Sequence, residues 1–143
     1  MLTPKAANVQ YELGVAVLAQ RRTNEALAIF NGLATQYPGN AEAQMGIGTA
    51  TEMPGDHVSA LQAFRRATQL SPNNAQAYTN LGTVAMQVGQ FDDAVAAFSK
   101  CVELLPNRAE PLLNLALACK SKGMEVEAAA AYRRASQLSQ KHP

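Results

Sequence analysis

The chain has 143 residues, 48% apolar and 16% charged, with a formal net charge of +1 and no tryptophan. That is the length of one ordinary domain with enough apolar residues for a core, and its charge balance provides no general attraction to nucleic acid or membrane. No apolar run approaches the roughly 20 residues that a membrane helix requires.

Residues 1-6 read as a short extension before the first predicted helix, 7–20. Its most apolar stretch, Gly14 to Ala19, follows Glu12 and precedes Arg21-Arg22. Without a charged leader or a separate cleavage site it reads as half a helix, not a secretory signal; a signal removed earlier is a separate matter. A second helix, 23–36, ends at Pro38-Gly39-Asn40, where proline cannot continue it. Helices 41–53 and 57–70 follow, broken at Gly55-Asp56 and closed by Pro72-Asn73-Asn74. In 75–88, Tyr78, Leu81, Gly82 and Ala85 share one helical face. Gly89 suits a left-handed helix end, and Asp92-Asp93 suit the positive end of the next helix, 91–104. Leu105-Pro106-Asn107 stops that helix, and 109–122 and 125–139 complete the chain around Gly123.

These helices repeat at a fixed step of 34 residues. Phe30, Phe64, Phe98 and Tyr132 form one column, and Ala26, Ala60, Ala94 and Ala128 another. Leu13, Ile47, Leu81 and Leu115 form a third, and Gly14, Gly48, Gly82 and Ala116 a fourth. Pro38, Pro72 and Pro106 keep the register until Gln140. Each unit buries its apolar face only against its neighbours, so the expected form is an open stack with long surfaces, which favours binding over chemistry. The small columns are expected to let the helices of one hairpin approach, with the rings filling the space between one hairpin and the next.

A helix–turn–helix unit reading Leu81-Gly82, Ala94-x-x-x-Phe98, Pro106, and again Ile47-Gly48, Ala60-x-x-x-Phe64, Pro72, resembles the tetratricopeptide repeat. The match is in register over nearly the whole chain. Departures are mild: Tyr78 is the only aromatic in the family's first aromatic column, and the second holds Val17, Thr51, Ala85 and Cys119. The resemblance implies an all-α fold, an α-solenoid wound as a right-handed superhelix of four units and eight helices. The copies are 7–40, 41–74, 75–108 and 109–142, a single domain over 7-142. It also implies a concave wall made by the first helix of each pair and a role in binding other proteins. Fold alone does not choose among the family's uses in chaperone adaptors, secretion and pilus assembly, and enzyme targeting.

On the first helices, the face beside the core stripe is expected to line that wall. The first copy supplies Asn8, Tyr11, Glu12, Val15 and Leu18; the second Glu42, Met45, Thr49, Glu52 and Met53. The third supplies Gln76, Thr79, Asn80, Thr83 and Met86; the fourth Glu110, Leu113, Asn114, Leu117 and Lys120. Tyr11, Val15, Met45, Thr49, Met53, Thr79, Asn80, Thr83, Met86, Leu113, Asn114 and Leu117 are the expected ligand-binding residues. Methionines adapt to several ligands, and Asn80 and Asn114 offer both donor and acceptor to a ligand backbone. The alternative is that Met45, Met53, Leu113 and Leu117 belong to the core. Four glutamates against one lysine favour a neutral-to-basic, partly apolar protein or peptide. The family's clamp for acidic C-termini needs lysine and arginine at columns that here hold Tyr11, Val15, Gly46, Gln76 and Asn80, or Met45, Thr49, Asn80, Glu110 and Asn114. No cation matches.

Arg65-Arg66, Lys100 and Arg133-Arg134 collect on the second helices, where a solvated face is the plain reading and a basic strip the alternative. Asp56-His57-x-Ser59 has the residue types of a catalytic triad, but neighbours on one turn cannot meet as nucleophile, base and orienter. His142 is the other histidine. Cys101 and Cys119 occupy small or apolar columns and are expected as buried thiols, with a bridge between them as the minor alternative. The sequence therefore predicts a non-enzymatic interaction module or adaptor without cofactors or metal, in a reducing, cytoplasmic setting. It is a monomer or weak homo-oligomer, pairing through residues 125 to 140. The alternatives are a docking or targeting segment of a larger enzyme or assembly factor, and a self-associating scaffold.

Overall fold

The computed structural model describes residues 3–141, which form eight α-helices and, among the described residues, no strand. In chain order these are α1 (Pro4–Ala19), α2 (Thr23–Gln36), α3 (Ala41–Glu52), α4 (His57–Leu70), α5 (Ala75–Gln87), α6 (Phe91–Leu104), α7 (Ala109–Lys122) and α8 (Glu125–Lys141). Six of the eight start where the columns place them and end within a residue of the expected end. The outer two run longer. Helix α1 begins inside the stretch read as an extension, because the Thr3 hydroxyl accepts the Ala6 amide at 3.2 Å and Pro4 stands in the first turn, where its missing N–H costs nothing. Helix α8 continues to Lys141 because Gln140 replaces the proline that stops the second helices of the other copies. His142 lies outside the described residues.

The chain divides into two compact units, one ending at Pro72 and the other beginning at Asn73. In the first, α1 packs on α2, α2 on α3 and α3 on α4, and α1 also touches α3. In the second the order is α5 on α6, α6 on α7 and α7 on α8. Consecutive helix pairs of this kind, with only helices present among the described residues, are the α-solenoid class.

The ring and glycine columns lock each pair, in a way that differs from the expected one. A β-carbon on Gly14 would stand 2.5 Å from Cε1 of Phe30, and one on Gly82 would stand 2.6 Å from Cε1 of Phe98. Gly48 is as close to Phe64, and Gly46, one copy along, faces the other side of the Phe30 ring. Gly14, Gly48 and Gly82 thus make room for the ring of their own hairpin, and Gly46 for that of the preceding one, not for the backbone of a partner helix. Phe30 is held between two successive first helices, and it and Phe64 are fully buried. Val17, Ala26 and Ala50 close around Phe30, with Tyr11 and Ile47 at the margin. In the fourth copy Ala116 carries the methyl that the other three lack, and Tyr132 stands 41% exposed.

Turns follow the same column logic. Asn40 and Asn74 cap α3 and α5, accepting the amides of Ala43 and Ala77 at 3.0 and 3.2 Å. Arg108 holds that column before α7 and makes no side-chain cap. Gly55, Gly89 and Gly123 all have positive φ, the left-handed turn expected between helices. The first copy puts Arg21 in the same column at φ 60, a conformation that a residue with a β-carbon adopts under strain.

Candidate functional site

In the first unit, the exposed faces of α1 and α3 carry Tyr11, Val15, Met45, Thr49 and Met53. Tyr11 is half-buried and packs on Phe30, ring centroids 5.9 Å apart, so only part of it faces outward. Burial raises its phenol pKa above the usual value, and the charges of Glu42 and Glu12 raise it further. Both glutamates therefore sit close enough to Tyr11 to give this face a negative field. Val15 and Met53 are exposed, Met53 at 43%. Met45 and Thr49 are half-buried. The Thr49 hydroxyl donates to the Met45 carbonyl at 3.0 Å, leaving its methyl as the outward group. Glycine at 46 leaves no asparagine in this unit to match Asn80 and Asn114.

The second unit has the more developed face. Leu113 and Leu117, one turn apart on α7, are 46% and 52% exposed, so they are surface and not core. Asn114 lies between them and is half-buried. Gln76, Thr79, Glu110, Pro111 and Asn114 line a depression of about 250 Å³, together with Leu105 and Arg108. The Asn114 side chain makes no hydrogen bond among the described residues. Asn80 is different: its Oδ1 accepts the Gln76 Nε2 at 2.8 Å, which leaves mainly its N–H donors for a ligand. Thr83 donates to the Thr79 carbonyl and Thr79 to that of Ala75, so both present methyls. Met86 is half-buried and Thr83 exposed at the far end of α5.

Arg108 was not among the expected site residues, because it precedes α7 and lies on no helical face. Its signal was legible as the departure from the Asn40 and Asn74 capping column. It places one cation beside Glu110 at the mouth of the depression.

The other candidates resolve into structural roles. The Asp56 carboxylate caps α4, accepting the Ser59 amide at 3.1 Å, and hydrogen bonds from Ser59 hold its pKa below the usual range. Cys101 and Cys119 are free and buried. Burial raises both thiol pKa values, so the thiols stay protonated and unreactive at neutral pH. Cys101 Sγ lies 3.3 Å from the Thr79 hydroxyl. Among the second-helix cations, Lys100 pairs with Glu103 at 3.4 Å and Arg134 donates to the Pro106 carbonyl at 3.4 Å. Arg66 reaches Gln69. No group of three metal-binding side chains occurs among the described residues, and none of their helices is long and apolar enough to cross a membrane.

Comparison with known proteins fits this geometry. Tetratricopeptide repeat profiles match residues 2–41 and 11–75 in one form and residues 75–108 in another. No curated protein sequence matches the chain. Solved structures do: one described as a crystal structure of MamA is 26% identical, over 96% of this chain and 81% of that one, with a TM-score of 0.86. A second crystal structure of MamA protein is 26% identical over 96% of this chain and 75% of its own, with a TM-score of 0.85. MamA 41-end from Desulfovibrio magneticus RS-1 is 20% identical, covers 95% of this chain and 77% of that one, and has a TM-score of 0.83, a likeness of fold alone.

Proposed function

The chain belongs to the tetratricopeptide repeat family, and on that premise we propose that it is a non-enzymatic binding module that holds a segment of a partner protein against its first helices. One observation carries the reading: Leu113 and Leu117 are large, apolar and about half exposed beside Asn114, whose side-chain amide pairs with no other described residue. Exposed apolar groups set around a few polar ones are the usual make-up of a peptide site. The leucines accept apolar side chains, and Asn114 accepts and donates to the peptide backbone. In the first unit Met53 and Val15 supply the apolar contact. Glu12 and Glu42 there select against strongly acidic segments. The single Arg108 at the second-unit depression is offset by Glu110, so the preferred ligand is neutral to basic. The two protonated thiols suit a reducing, cytoplasmic setting.

Binding of one short peptide is expected near −8 kcal/mol at best, about 1 μM, because ordering a flexible chain offsets much of the contact energy. The test is co-purification of partners with the parent chain and with Leu117→Glu and Asn114→Ala, each checked by thermal melting. Loss of the partner with melting retained supports the reading. Full binding by both variants moves the site to the second helices, around Arg66 in one unit or Arg134 in the other.

Self-association is the second reading, favoured by Val126 at 79% exposed and by Tyr132 on α8. A Tyr132→Ser variant that abolishes any concentration dependence in light scattering supports it; a parent chain that scatters as a monomer at every concentration removes it.

A further inference from the structure

A depression of about 530 Å³ opens in the first unit, lined by residues of α2, α3 and α4. Its polar lining is Asn31 and Thr35 from α2, Gln44 from α3, and Ser59 and Gln62 from α4. Ile47, Ala34 and Ala63 make the apolar base. No charged and no aromatic side chain lines it. The carboxamides of Asn31, Gln44 and Gln62 form no hydrogen bond to any other described residue, while the Thr35 hydroxyl is committed to the Asn31 carbonyl.

The repeat itself explains why the cleft exists. Gln44 stands in the column that holds Tyr78 in the third copy and Leu112 in the fourth. In the second unit Leu112 is buried and packs with Ala131 and Val102, closing the seam between α6 and α8. Asn31 and Gln62 correspond there to Ser99 and Ala130. The column is therefore filled by a buried leucine in the second unit and by a half-buried glutamine with an unspent amide in the first.

We propose that this cleft is a second binding site, which takes an uncharged, extended peptide segment with small side chains. Each carboxamide offers an N–H donor and a carbonyl acceptor, the same pair that a peptide backbone presents. Three of them around an open depression supply the kinds of group that a strand-like segment presents, and Ile47 and Ala63 beside them seat an alanine- or serine-sized side chain. A charged side chain would lose water and find no counter-charge. A glycan is disfavoured because no aromatic ring is present to stack on a sugar face.

The probe is a capped peptide, acetyl-Ala-Asn-Ser-Ala-amide, titrated into the isotopically labelled chain while the side-chain amide signals are followed by NMR. The expected result is a saturable shift at Asn31, Gln44 and Gln62. Gln44→Leu, the residue the fourth copy carries, should weaken that binding by about tenfold or more. Gln62→Ala changes only an exposed side chain and should weaken it while leaving melting unchanged, so the test survives a folding defect in the first variant. Asn114→Ala should leave the shifts intact, which separates this site from the one on the first helices. Absence of shifts at these three amides at millimolar peptide overturns the proposal. So does equal binding by Gln62→Ala, or saturation of the same signals by a chitotriose probe with the peptide inert.

Discussion

Set one unit on the other by a shift of two copies, and the same columns carry opposite properties. Phe64 is fully buried against Gly48, whereas Tyr132, its counterpart, is 41% exposed, with Ala116 in the glycine's column. Gln44 leaves an open polar cleft where Leu112 closes an apolar seam. Asn40 caps its helix where Arg108 does not. On the first helices the order reverses: the half-buried Met45 and Thr49 correspond to the exposed Leu113 and Leu117. Both rings of the first unit are enclosed, while in the second Phe98 is enclosed and Tyr132 is not. A repeat therefore conserves where a side chain sits more strictly than what that side chain does.

The largest test of this contrast is a pair of truncations. Phe64→Ala removes a fully enclosed ring and should cost about 3–5 kcal/mol. Tyr132→Ala should cost below about 1 kcal/mol, because the ring is already partly in water. Urea unfolding of both variants measures the gap; equal losses would show that the exposed tyrosine is packed as tightly as the phenylalanine. The caps come next. Asn74→Ala should lose about 1 kcal/mol through the orphaned Ala77 amide, and Arg108→Asn should gain up to a similar amount by giving α7 the cap that α3 and α5 have. If Arg108→Asn instead weakens partner binding with no gain in stability, the arginine serves the depression it borders.

Arg21 and Gly123 provide a smaller test. Both occupy the left-handed turn, at φ 60 and φ 87. Arg21→Gly should raise stability by roughly 0.5–1 kcal/mol, and Gly123→Arg should lower it by about 1 kcal/mol. The smallest effect is one of pH. The Asp56 carboxyl titrates below its ordinary value because of its Ser59 hydrogen bonds. A depressed folded-state pKa contributes stability above the unfolded value of about 3.9, and this is lost as pH falls through the folded value. Asp56→Asn keeps a capping oxygen but does not titrate. Its melting temperature should fall less than the parent's below about pH 4, and parallel curves there would remove the cap from the acid response.

Much of the fold was legible because four copies vote on each column. The alternation of Gly55, Gly89 and Gly123 with Pro38, Pro72 and Pro106 marks turns and helix ends by backbone chemistry that a single residue carries. The ends were harder: Thr3-Pro4 is a capping pair of its own, outside the repeat, and Gln140 merely permits α8 to continue. The partner chosen by each glycine was not legible either, since a column of small residues fits a nearby helix as well as a nearby ring. Of the candidate site, the lateral faces of the first helices were readable from helical spacing. How far each residue is exposed was not, because Leu113 and Leu117 have the same spacing from the core stripe as the half-buried Met45 and Thr49. Gln44 showed in the sequence as a missing aromatic, but the cleft it leaves depends on Asn31 and Gln62 arriving from two other helices.

First and second helices share the buried core, so packing does not separate them. The central claim is that partner binding does, through the first helices. Hydrogen–deuterium exchange with and without a co-purified partner tests it directly. Slowed exchange on binding should concentrate in α5 and α7, around Asn80, Asn114 and Leu117, with α6 and α8 unchanged. Protection confined to α6 and α8 would contradict the account.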